Sequence, residues 1–204
     1  IMGREYALES NEPQSVATAI FEHYMPRFAG DALPSSEAGT ILSIADKVDS
    51  IVGCFSVGLV PTGSADPYAL RRQAIGVLRM IDEKELPLSL RSLASEAAKG
   101  YGVKGDALDK LLVGVLDFIR QRARILFMES GHAYDLVDAV LESSFDSLTG
   151  VRPRLKALTH FRAEDDFAGL VIGARRASNI LKDVTPPVLD ASTLVEPASK
   201  ALHD

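Results

Sequence analysis

The chain has 204 residues, 47% hydrophobic and 25% charged, with a net charge of −6 at pH 7. That mixture excludes wholesale disorder, and the length allows one large or two small domains. No apolar run approaches the ~20 residues of a membrane span. The single Cys54 excludes an internal disulfide framework and a cysteine-based zinc site. His23, His132, His160 and His203 are scattered, with no His-x-x-x-His pair, so the expectation for metal is none. The acidic balance argues against a binder of polyanions in general but leaves room for a local basic face.

Almost every segment reads helical, and the expected class is all-α. Residues 14–24 place Val16, Ala19, Ile20 and His23 on one stripe, and Pro26, Gly30 and Pro34 then interrupt the chain. Over 38–57, Ile41, Ile44, Ala45, Val48, Val52 and Phe55 follow the spacing of an amphipathic helix, with Asp46 and Asp49 beside the stripe. A turn-rich stretch, 58–67, leads to a helix over about 67–82, for which Asp66 is the expected N-cap and Pro67 the first helical residue. That helix buries Leu70, Ala74, Val77, Leu78 and Ile81 and carries Arg72 and Arg79 on its outer face, with Arg71 close by.

Residues 83–89, acidic and containing Pro87, give the expected boundary between a domain of residues 1–85 and another of 86–204. Helices are expected over 90–99 and 106–128, the longer carrying Leu108, Leu111, Leu112, Val115, Ile119 and Leu126, with Arg122 on the same stripe. Further helices are expected over 134–141, over 151–163 with Leu155, Leu158 and Phe161 inside, and from 165 or 166 to about 183. The last buries Phe167, Leu170, Val171, Ala174 and Leu181, and Pro186-Pro187 ends it. Ile1 is no initiator, and the C-terminal residues look like a helix cut short, so the chain reads as a fragment of something longer.

Three blocks stand in order: Glu22-His-Tyr-Met-Pro-Arg-Phe-Ala-Gly-Asp-Ala-Leu-Pro34, Ala45-Asp-Lys-Val-Asp49 and Pro61-Thr-Gly-Ser-Ala-Asp-Pro-Tyr-Ala-Leu-Arg-Arg72. Downstream follow Leu116-Asp-Phe-Ile-Arg-Gln-Arg-Ala-Arg124, Tyr134-Asp-Leu-Val-Asp-Ala-Val-Leu141 and Arg175-Arg-Ala-Ser-Asn-Ile-Leu-Lys182. Together they resemble the beta subunit of the bacterial heterotetrameric glycine–tRNA ligase, over nearly the whole chain. The resemblance implies an HD-like helical domain at 1–85 and, at 86–204, a helical-bundle anticodon-binding domain that is incomplete at its C-terminus. It implies glycine tRNA as a partner, together with the alpha subunit in a heterotetramer of two alpha and two beta chains. It implies neither DNA nor membrane, and a cytoplasmic protein. ATP and Mg are expected in the alpha subunit, and this chain alone is expected to carry no catalytic residue and no cofactor.

Each candidate residue has a structural reading beside the functional one. Arg71 and Arg72 either touch tRNA phosphates or pair with a carboxylate such as Asp46 or Asp49. Arg79 shares the outer face with Arg72. Arg122, on an apolar stripe, requires a hydrogen-bonded partner or a wet edge. Arg120 and Arg124, one turn apart, form either a phosphate-contacting strip or a solvated basic face. Arg175, Arg176 and Lys182 make the densest basic patch on one helix, and Asn179 between them is placed to read a base edge. His23 and Asp46 stand where metal-dependent HD phosphohydrolases carry ligands, and such a hydrolase is the alternative reading. That chemistry needs several ligands, and the His-Asp dipeptide is missing between the first helix and Asp46. The structural reading of His23 is a core or boundary histidine with its nitrogens satisfied.

Overall fold

A computed structural model of the chain describes residues 1–143 and 145–180. Among these residues the protein is all-α, as the periodicity predicts, with no strand and two isolated bridges, Thr62–Ala65 and Ser89–Ser147. The helices are α1 (Met2–Glu9), α2 (Gln14–Glu22), α3 (Glu37–Ser56), α4 (Leu70–Glu83), α5 (Leu90–Gly100), α6 (Asp106–Glu129), α7 (Tyr134–Ser143), α8 (Val151–Arg162) and α9 (Phe167–Ile180). No described helix is long and apolar enough to cross a membrane.

Two compact units divide the chain, Ile1–Leu158 and Thr159–Asp204. In the first, one apolar core runs from Ile44 on α3 through Val77 and Ile81 on α4 to Phe127 on α6, Val137 on α7 and Leu155 on α8. The expected boundary between residues 85 and 86 falls inside this core: α3 packs on α4 and α5 alike, and α4 and α5 both pack on α6. Phe127 is fully buried, and such a ring contributes about 3–5 kcal/mol relative to alanine. The chain after α7 returns to the start of α5, where Leu90 N–H donates to the Asp146 carbonyl at 2.9 Å and Arg91 N–H to its carboxylate at 2.8 Å. Those are two of the helix's orphan donors satisfied.

The segment joining α2 to α3 is held by buried polar groups. Glu22, 6% exposed, accepts from the backbone N–H and hydroxyl of both Ser35 and Ser36. Ser36 in turn caps α3 by accepting from Gly39 N–H at 3.0 Å. Gly39 has no room for a side chain, since a Cβ there would stand 2.7 Å from Glu22 Cβ. Burial raises the Glu22 pKa, but the four hydrogen bonds outweigh it and hold the carboxyl at about 2.

Three expectations need correction. Helix α4 begins at Leu70, because Ala69 takes a left-handed conformation with φ 56°. Asp66 still serves its N-terminus, accepting from Leu70 N–H at 2.8 Å and Arg71 N–H at 3.0 Å. Ile41 lies at the rim of its stripe and is 70% exposed. In the second unit, Phe161, Leu170, Val171 and Ala174 are exposed rather than inside, although Phe161 and Phe167 make an edge-on ring pair at 5.4 Å. An apolar stripe is buried only where a second element packs on it. Leu181 and Lys182 lie outside the described residues.

Candidate nucleic-acid interface

The predicted basic residues divide by whether the fold already supplies them with an acceptor. On α6, Arg120 bridges Asp117 at 2.8 Å and Glu142 of α7 at 2.7 Å. Arg124, one turn on, grips the Asp138 carboxylate with two of its nitrogens. Arg79 donates to Glu83 at 2.8 Å and to the Asp31 carbonyl at 3.0 Å. These three brace helices and loops to one another. The hydrogen bond from Arg120 is the main reason the Asp117 carboxyl lies below its ordinary range.

Arg71 and Arg72 do not pair with Asp46 or Asp49. Arg71 donates to the Gly63 carbonyl at 2.7 Å, closing the loop before α4. Asp49 is taken by the Tyr101 hydroxyl, which donates to it at 2.8 Å. The close approach of α5's end to α3 that this requires is possible because Gly53 lies beneath the Tyr101 ring, where a Cβ would be 2.7 Å from Cζ. Arg72 is exposed and has no hydrogen bond or ion pair among the described residues. It lines a pocket of about 340 Å³ with Tyr24, Arg27, Asp46 and Gln73. On α9, Arg175, Arg176 and Asn179 are exposed and likewise carry no such partner among the described residues.

Arg122 is the exception on its helix. Its guanidinium lies 4.5 Å from the Phe118 ring centroid, a cation–π contact. Nη1 donates to Gln121 at 3.2 Å, while Nε is buried and has no hydrogen-bond partner among the described residues. Burial first, and the nearby charge of Arg71 second, push its pKa down.

The two HD-like positions differ in their surroundings. His23 Nδ1 is 2.6 Å from the Ile20 carbonyl and its ring packs on Tyr24 at 4.0 Å, whereas Asp46 is exposed. Among the described residues no three His, Cys, Asp or Glu side chains are placed to share a metal ion. Next to Asp46 stands a residue sequence reasoning missed. Lys47 is 4% exposed, and its ammonium donates to the carbonyls of His23 at 2.9 Å and Met25 at 3.1 Å and to Ser43 Oγ at 2.8 Å. Burial lowers its pKa, and Asp46 opposes that. A protein-borne cation therefore binds the oxygen atoms of the turn after α2. The available signal was a lysine lying between Ile44 and Ile51 on an apolar helix face. Arg152 was also missed: it clamps the buried Asp82 at 2.6–2.8 Å.

Comparison with known proteins places these residues in a family. The family described as glycyl-tRNA synthetase beta subunit matches residues 1–142. The chain is 47% identical to the glycine–tRNA ligase beta subunit of Desulforamulus reducens over 99% of its length, covering 30% of that protein. It is 43% identical to that of Geobacter sulfurreducens over 99% of its length, covering 29%. For Cronobacter sakazakii the identity is 44% over 96% of the chain, again 29% of the relative. The chain thus spans about a third of the length of these relatives. It belongs to the glycyl-tRNA synthetase beta subunit family.

Proposed function

We propose that this chain is a tRNA-holding portion of a glycine–tRNA ligase beta subunit in the cytoplasm. ATP-dependent attachment of glycine is carried out by the alpha subunit, where ATP and Mg bind, and this portion positions the tRNA without supplying a catalytic group. The observation that carries the reading is the 47% identity to a glycine–tRNA ligase beta subunit over 99% of the chain. The free cations support it: Arg72 on the first unit, and Arg175 and Arg176 on the second, have no acceptor among the described residues. Such residues fix register on a phosphate backbone, and Asn179 beside them is suited to a base edge. The boundary at residue 85 is, in this reading, a division between an HD-like part and the beginning of an anticodon-binding part that share one core. The metal-dependent hydrolase reading gains no support, because among the described residues His23 and Asp46 are joined by no further ligand.

The test is tRNA affinity of the two-subunit enzyme across a salt series. Changing Arg175, Arg176 and Lys182 together to alanine is expected to weaken binding of glycine tRNA and of an anticodon-altered tRNA alike. The slope of log affinity on log salt should flatten by up to about one unit per contact. Asn179→Ala is expected to cost about 1–3 kcal/mol for the cognate tRNA alone, by analogy with direct base readout. Unchanged affinity in the stable triple variant removes this face from the reading.

A further inference from the structure

A groove of about 880 Å³ lies between the end of α3 with the turn that follows it and the face of α6 opposite α7. Its floor is apolar: Phe55 and Phe118 pack ring to ring at 5.2 Å, and Phe55 also lies against Gly114 of α6. Its charged side chains are Lys104, Lys110, Arg122 and Asp117. Asp117 is occupied by Arg120 at 2.8 Å and Gln121 at 2.8 Å. Lys104 and Lys110 are exposed and have no ion pair among the described residues. Three cations therefore gather around one already committed acid, on a chain whose net charge is −6.

Buried donors almost always find an acceptor, so the unpartnered Arg122 Nε is the informative atom. Its guanidinium is parked on the Phe118 ring. Nε and a terminal nitrogen of one guanidinium together form the fork that grips an anion with two parallel hydrogen bonds. The two lysines supply movable point charges along the rim, which suits a chain of phosphates.

We propose that this groove is a binding track for the phosphate backbone of the tRNA, with Arg122 gripping one phosphate and Lys104 and Lys110 following its neighbours. The proposal rests on the tRNA-holding reading above and assigns it a second surface, in the first unit. Because the contacts are to phosphate, the track carries no anticodon discrimination.

The experiment uses the full two-subunit enzyme with glycine tRNA and an anticodon-altered transcript, each titrated across a salt series. Lys104→Gln/Lys110→Gln is the main variant, since both side chains are exposed and the fold does not need them. Arg122→Gln is the second, with melting temperature measured because the guanidinium also covers Phe118. The expected result for the double variant is the same fold-loss of affinity for both tRNAs and a salt slope flatter by about one to two units. Wild-type slope and affinity in the double variant overturn the track while leaving the tRNA reading in place. A wild-type enzyme that binds neither tRNA overturns both. If the double variant instead loses co-purification with the alpha subunit at unchanged tRNA affinity, the groove is a protein interface and the phosphate track is wrong.

Discussion

Two faces of one helix show how this protein sorts its basic residues. Arg120 and Arg124 look toward α7, which offers Glu142 and Asp138, and both are fully engaged. Arg122 points about 200° away from Arg120 at ~100° per residue, toward the Phe55–Phe118 floor, and its Nε finds no acceptor among the described residues. All three belong to one basic run, and a count of charges would treat them alike. What separates them is the helix packed on each side: an acidic partner turns an arginine into a brace, and an apolar one leaves a cation available to a ligand. The same division recurs elsewhere in the first unit, where Arg79 and Arg152 are braces and Arg72 has no side-chain partner among the described residues.

If braces and free cations are distinct, removing a brace should move stability and leave tRNA affinity alone. The largest effect is expected at Arg152, whose guanidinium neutralises an Asp82 side chain only 3% exposed. Arg152→Ala leaves that carboxylate buried without its counter-ion and should cost about 2–3 kcal/mol by chemical denaturation. That is below the range for a fully buried pair because Arg152 itself is half open. A loss of tRNA affinity at matched stability would break the distinction.

Glu22 is the acidic extreme of the braced class. Its carboxyl is held at about 2 against an ordinary 4.5. A folded-state pKa below the unfolded one stabilises the fold above the unfolded value, and that contribution is lost as pH falls from about 4.5 to about 2. The loss over this window is expected to be on the order of 2 kcal/mol. Glu22→Gln, which offers one acceptor oxygen to four donors, should be less stable at neutral pH and have a flatter profile across the same window. An acid profile unchanged by the substitution would contradict the assignment.

The helices were legible because their apolar spacing is regular, and the expected spans for α2 to α8 lie within a few residues of the observed ones. Helix α1 was not, since Ala7 is its one buried residue and no stripe announces it. The start of α4 was misplaced because a left-handed Ala69 leaves no composition signal. The basic residues were legible as candidates but not as a site. Arg124 meets Asp138 fourteen residues on, and Arg152 meets Asp82 seventy residues back. Only folding decides which of them are spent. Lys104 and Lys110 lie on no stripe, and the groove that joins them to Arg122 is made by α3 and α6 meeting in space.

The most direct test sets the two faces of α6 against each other in one assay. Arg122→Gln and Arg124→Gln, two residues apart on one helix, are compared with the wild-type two-subunit enzyme for the salt dependence of glycine tRNA binding. At matched folded fraction, Arg122→Gln should flatten the slope by about one unit or less, while Arg124→Gln should leave it unchanged. An Arg124→Gln variant whose slope flattens as much as that of Arg122→Gln would contradict the account.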